Sequence, residues 1–126
     1  MKERINTSKA PAAIGPYSQG IKVGNIVFFS GQLGINPETG DFVPGLVTEQ
    51  TEQVFKNIKA LLAEANLTVD NVVKTTVFLH DMADFAAMNE VYAKQFNEPY
   101  PARSAVAVKT LPKNALVEIE VIAVCE

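Results

Sequence analysis

The chain has 126 residues, 48% of them hydrophobic, and a formal charge of −3, which suits one domain over residues 1–126 whose own core folds without a metal or disulfides. Nine lysines against two arginines, with no basic run, leave no electrostatic footprint for nucleic acid or an anionic membrane. A lone cysteine (Cys125), no apolar run near ~20 residues and an N-terminus without a signal core set the expectation of a soluble, cytoplasmic protein.

In chain order, residues 2–10 are polar and can form a short first strand. Ala10 to Gly20 contains Pro11, Gly15, Pro16 and Gly20, which rule out a regular helix and fix a loop around Tyr17. Taken alone, Tyr17 reads as a side chain packed on the core with its hydroxyl at the surface. Ile21-Lys22-Val23, Gly24-Asn25 and Ile26 to Ser30 read as a β-hairpin whose turn tolerates positive φ at both central positions. The strand runs into Ser30-Gly31-Gln32, where the glycine marks a bulge or a close approach. The turn-rich loop from Leu33 to Phe42 carries no catalytic pattern.

The first helix is expected from Leu46 to Ala65. Val54, Ile58, Leu61, Leu62 and Ala65 form one face, and Glu49, Glu52, Lys56, Lys59 and Glu64 lie off it. Thr48 or Thr51 is the expected cap, and Asn66 the stop. Val72 to Leu79 is a β-branched strand with Val73, Thr75, Val77 and Leu79 on one face. His80, the only histidine, ends it, and no metal site can be assembled around it. A second helix is expected from Asp84 to about Phe96, capped by Asp81 or Asp84, with Phe85, Met88, Tyr92 and Phe96 as its stripe and Asn89 beside it. Pro99 and Pro101 end that segment.

The last part of the chain holds the chemistry. Pro101 to Val108 and Val117 to Val124 read as two strands around a short turn. Arg103, Glu118 and Glu120 stand inside otherwise apolar sequence, and ionised groups are rarely buried unless they pair or bind something. Arginine's planar fork suits two-point capture of a carboxylate. Glu118 and Glu120 share a strand face. An Arg103 salt bridge to one of them is the structural alternative to ligand binding.

The order of elements predicts an α+β fold: one mixed sheet with both helices on one face. A strand covered on one face should alternate cleanly. The last strand does not, because Leu116, Ile122 and Val124 join the glutamates, and Phe28-Phe29 is apolar on both faces. No residues are left over to cover that second face, so another copy of the chain is expected to do it, giving a homo-oligomer with pockets between subunits.

Taken together, Ala12 to Gly20, Ser30-Gly31-Gln32, Val73 to Phe78, Asn89-Glu90-Val91-Tyr92, Pro101-Ala102-Arg103-Ser104 and Val117-Glu118-Ile119-Glu120 closely resemble the RidA (YjgF/YER057c/UK114) family. The resemblance covers essentially the whole chain. It implies a chorismate-mutase-like fold, a homotrimer with clefts between subunits, and no cofactor. It also implies an activity: hydrolytic deamination of 2-imino acids and their enamine tautomers, such as 2-iminobutanoate and 2-iminopropanoate, which leave pyridoxal-phosphate dehydratases. The partners implied are small 2-imino and 2-keto acids.

By the same resemblance Arg103 binds the substrate carboxylate and Glu118 positions or activates water. Tyr17, Ser30, Gly31 and Asn89 line the cleft. The chain departs at Ala105, where the family usually has cysteine, so thiol chemistry at that position is ruled out. Imine hydrolysis needs no sulfur nucleophile. Burial would raise the pKa of Glu118 and a nearby Arg103 would lower it, and the sequence leaves that contest open. Other readings are a small-acid-binding or regulatory trimer without turnover, a ribonuclease or translation inhibitor, and a chaperone. The acidic balance and the single histidine weigh against RNA cleavage.

Overall fold

The computed structural model describes residues 1–126. Strands β1 (Lys2–Ile5), β2 (Gly20–Val23) and β3 (Ile26–Gln32) form an antiparallel meander. Helix α1 (Val47–Glu64), β4 (Val72–Leu79), α2 (Phe85–Ala93), β5 (Ala102–Ala107) and β6 (Val117–Val124) follow. All six strands share one sheet in the order β1-β2-β3-β6-β4-β5. β5 runs parallel to β4, and every other pair is antiparallel. The fold is therefore the expected α+β mixed sheet.

β5 and β6 do not pair. The expectation of two adjoining strands around a short turn is corrected, because β4 lies between them. The β4–α2–β5 segment is a parallel crossover, and it leaves β5 at the sheet edge. The antiparallel partner of β4 is β6, with Phe78 opposite Glu118 and Thr76 opposite Glu120.

Both helices cover one face. Val27, Phe29, Val77, Ile119, Val121 and Ala123 meet Val54, Phe55, Ile58, Leu61 and Leu62 of α1 there, and all are buried. Phe55 makes edge-on contacts with Tyr92 and Phe96, with ring centroids 5.8 and 5.7 Å apart. Such pairs are worth about 0.5–1.5 kcal/mol each beyond area burial. They seat α2 against α1, which fixes the position of Asn89.

Several local expectations change. The cap of α1 is neither Thr48 nor Thr51. The Leu46 N–H donates to Glu49 Oε1 at 2.8 Å, and the Thr51 hydroxyl donates back to the Val47 carbonyl at 2.6 Å. Asn66 does end the helix, at φ 60°. Helix α2 stops at Ala93 rather than near Phe96, although Phe96 remains buried. Asp81 caps the 3-10 turn before α2 by accepting from the Ala83 N–H, while the Asp84 carboxylate turns to His80. A register shift between Val72 and Lys74 puts Val72 inside with Thr75 and leaves Val73 46% exposed. In the hairpin only Gly24 has positive φ.

The other face of the sheet is open. Phe28 and Val106 are 47% and 46% exposed on it, with Ile122 opposite Phe28 and Phe78 beside Val106. No helix is long and apolar enough to cross a membrane.

Candidate active site

The expected site residues fall into two clusters on opposite faces of the sheet. The first lies on the covered face at the β5 edge. Arg103 stands beside Thr75 in register, so its side chain runs under α2. Its Nη1 donates to Asn89 Oδ1 at 2.6 Å. Its Cζ lies 4.6 Å from the Tyr92 ring centroid and 5.4 Å from that of Phe85. The Tyr92 and Thr75 hydroxyls share a 2.8 Å hydrogen bond, and burial pushes the Tyr92 phenol up against the opposing pulls of Thr75 and Arg103.

No carboxylate neutralises Arg103, because the only ion pair within the chain is His80–Asp84. Its charge rests on two ring faces and one amide oxygen, so further guanidinium N–H donors remain free. Ala105 lies on the same face, in register with Val77.

The second cluster lines a groove of about 640 Å³ beside the start of β6, which holds Tyr17, Ser30, Gly31, Lys113 and Glu118. The Tyr17 loop is tied down from below by Gln19, which is 2% exposed. The Gln19 amide donates to the Thr7, Ala10 and Pro11 carbonyls, and its oxygen accepts from the Thr7 N–H. The Ser30 hydroxyl donates to the Ser18 carbonyl at 2.6 Å, so Ser30 helps hold the loop that carries Tyr17.

Gly31 gives the carboxylate of Glu118 its room. A Cβ there would overlap that carboxylate, with Glu118 Cδ only 2.9 Å away. Glu118 is half-buried, and burial, then the Glu120 charge, push its carboxyl above the ordinary 4.5. Arg103 exerts no opposing pull within the chain, so desolvation wins the contest that the sequence left open.

Arg103 and Glu118 therefore do not meet within one chain. They sit two strands apart and face opposite sides. Arg103, Asn89 and Ala105 form no part of the groove that holds Glu118. The intrachain salt bridge is also absent.

The sequence reading missed three groups. Phe85 and Tyr92 read as core stripe, yet they carry the guanidinium. Lys113 lines the groove from a turn in which it and Asn114 take successive left-handed conformations, φ 55° and 57°. Non-glycine residues there are uncommon, and a Pro-Lys-Asn run between two apolar segments was the available signal. No group of three or more His, Cys, Asp or Glu side chains comes together to hold a metal. A smaller hollow of about 320 Å³ beside Phe96 and Pro99 contains none of the expected residues.

The chain as a whole matches a known family. The family model described as Endoribonuclease L-PSP matches residues 7–125. The chain belongs to that family, the YjgF/RidA family. It is 56% identical to the Arabidopsis thaliana "Reactive Intermediate Deaminase A, chloroplastic", over 97% of this chain and 65% of the plant protein. It is 48% identical to the Mus musculus "2-iminobutanoate/2-iminopropanoate deaminase", over 98% of this chain and 92% of the mouse protein. Among solved structures, E. coli TdcF with bound serine superposes with a TM-score of 0.93 at 46% identity, covering 98% of this chain and 99% of that one.

Proposed function

We propose that the protein hydrolyses 2-imino acids and their enamine tautomers to 2-keto acids and ammonia, in sites that each join two chains of a homotrimer. The observation that carries this reading is Arg103: a half-buried guanidinium, braced by Tyr92, Phe85 and Asn89, with no carboxylate of its own chain. A ligand carboxylate is the natural partner of such a group. The names of the mouse and plant relatives point to the same chemistry, and the serine bound to TdcF is a small α-carboxylate ligand.

The two clusters lie on opposite faces, so one chain would supply Arg103 and a neighbour the Glu118 groove. The open face with Phe28 and Val106 supplies the apolar surface for such an assembly. Arg103 would hold the carboxylate at two points, which fixes the imine carbon without a loss of orientation freedom during reaction. Glu118 would accept a proton from water as its oxygen bonds to that carbon. With the imine nitrogen protonated, the C=N π pair moves onto nitrogen as the water oxygen bonds to carbon, giving a neutral carbinolamine. Glu118 returns the proton to nitrogen and then takes the hydroxyl proton as the C=O forms and the C–N bond breaks. That last proton leaves with ammonia as ammonium beside the keto acid. General acid–base help of this kind is typically worth about 10² to 10⁴ in rate. No step uses sulfur, so Ala105 is compatible with the route.

The test is a coupled assay. A threonine dehydratase generates 2-iminobutanoate, semicarbazide competes for it, and wild type is compared with Arg103→Ala and Glu118→Ala. Faster keto-acid release that both substitutions abolish or sharply reduce supports the deaminase. A well-folded wild type that gives no acceleration refutes it and favours a binding protein without turnover. The family model's description raises RNA cleavage as a rival. The one histidine, His80, is engaged by Asp84 at 2.8 Å and lies outside the groove.

A further inference from the structure

Helix α1 carries a second buried stripe besides its apolar one. Gln50, Gln53 and Asn57 recur at helical spacing and are 6%, 9% and 0% exposed. Buried amides are costly unless fully bonded, and these are spent on particular partners. The Gln50 side-chain oxygen accepts from the Leu116 N–H at 3.0 Å. Asn57 Nδ2 donates to the Leu33 and Ile35 carbonyls at 3.1 and 3.0 Å, and the Gln53 amide donates to Asn57 Oδ1 at 2.9 Å.

Those partners line the groove or adjoin residues that do. Leu33, Ile35, Pro112 and Lys113 all line it. Leu116 connects the left-handed Lys113-Asn114 turn to β6, two residues before Glu118. Gly34 presses on the same helix, since a Cβ there would come within 2.7 Å of Gln50 Cα. Gln50 thus touches the chain just behind two lining stretches: Leu116, between Lys113 and Glu118, by a hydrogen bond, and Gly34, between Leu33 and Ile35, by packing.

We propose that Gln50 and Asn57 are positioning residues of the groove: Gln50 pins the segment that leads from the turn into Glu118, and Asn57 pins the lining stretch of Leu33 and Ile35. Neither lines the groove itself. The polar stripe makes α1 a template for the groove, which an apolar stripe could not be, because apolar contact does not fix backbone groups in register. The catalytic part of the claim rests on the deaminase reading. The geometric part does not.

The test uses the full chain and four substitutions. Gln50→Met keeps the shape and removes the acceptor, and Gln50→Glu keeps an acceptor oxygen. Asn57→Ser shortens the reach to the Leu33 and Ile35 carbonyls, and it decides the matter if Gln50→Met does not fold. A Lys59→Ala control alters the exposed face of the same helix. The readouts are imine hydrolysis across pH, the Glu118 carboxyl titration by carbon NMR, and thermal melting.

For Gln50→Met and Asn57→Ser, the expected rate loss is roughly tenfold to a hundredfold, the scale of a misplaced reacting group. The Glu118 titration should move away from its wild-type position as water enters and the carboxylate loses its fixed surroundings. Gln50→Glu should recover most of the rate although its buried charge lowers the melting temperature, so rate and stability would rank differently. Rates that simply follow melting temperature, or an unchanged Glu118 titration in Gln50→Met and Asn57→Ser, overturn the proposal. If wild type itself hydrolyses no imine, the deaminase reading falls alone, and the titration still decides whether Gln50 and Asn57 position Glu118.

Discussion

Arg103 and Glu118 point to opposite sides of one sheet, with β4 between their strands. Neighbouring strands lie about 4.8 Å apart, so two strand spacings and the sheet itself separate the groups before any offset along the strands is counted. No rotamer change brings them together. A reaction that uses both requires a second chain, and the exposed apolar face beside Glu118 is where that chain is expected to pack.

Arg103→Lys separates charge from geometry. An ammonium keeps the positive charge but loses the fork and the flat stacking on Tyr92 and Phe85. Loss of one charge-assisted hydrogen bond, about 1.5–3 kcal/mol, should raise KM about ten- to a hundredfold with a smaller change in kcat. Steady-state kinetics on 2-iminobutanoate checks this, and an unchanged KM would remove Arg103 from substrate binding.

Gly31→Ala should disable the groove without unfolding the chain. The added Cβ overlaps the end of Glu118, a side chain that can swing aside. The expected result is at least a roughly tenfold lower rate with a melting temperature near that of wild type. Wild-type activity would mean that the carboxylate need not occupy its present place.

Phe28→Lys puts a charge into the open apolar face. Burying an unpaired ammonium between subunits is strongly unfavourable, so the oligomer should dissociate. Sedimentation velocity should show the proposed trimer for wild type and a monomer for Phe28→Lys, and imine hydrolysis should disappear with assembly. A trimer that survives the substitution would place the interface elsewhere.

The dissociated chain also gives a pH test. Burial first, and the Glu120 charge second, hold Glu118 above 4.5 within one chain. The folded state therefore keeps that proton to higher pH than the unfolded state. The stability involved is fully present below the ordinary value and is lost as pH rises through the folded one. In the Phe28→Lys background, Glu118→Gln should melt at higher temperature than its parent at neutral pH, and the two curves should converge below 4.5. A Glu118→Gln chain that is less stable at neutral pH would show a favourable partner for the carboxylate.

Much of the fold was legible because the pattern is local. Val72 to Leu79 was read with both ends correct, and the α1 stripe of Val54, Ile58, Leu61 and Leu62 is buried as expected. The alternation of Val117, Ile119, Val121 and Ala123 also gave the covered face of β6. Strand order was not legible. Period-two patterning says which residues share a face within a strand, but not which strands adjoin or how one strand's faces map onto another's. That is why Arg103 and Glu118 appeared to be neighbours. The Val72–Val73 bulge and the buried Gln50 and Asn57 are not legible for a related reason, since the bulge is set by the pairing with β6 and the amides by partners in distant loops.

The most direct test of a site shared between chains is subunit complementation. Arg103→Ala and Glu118→Ala chains, each inactive alone, are mixed, dissociated and reassembled beside a wild-type control. If one chain supplies Arg103 and its neighbour Glu118, random trimers contain intact sites, and about a quarter of the wild-type rate should return. A mixture that stays inactive while the control regains full activity would contradict the shared site and, with it, the proposed roles of the two residues.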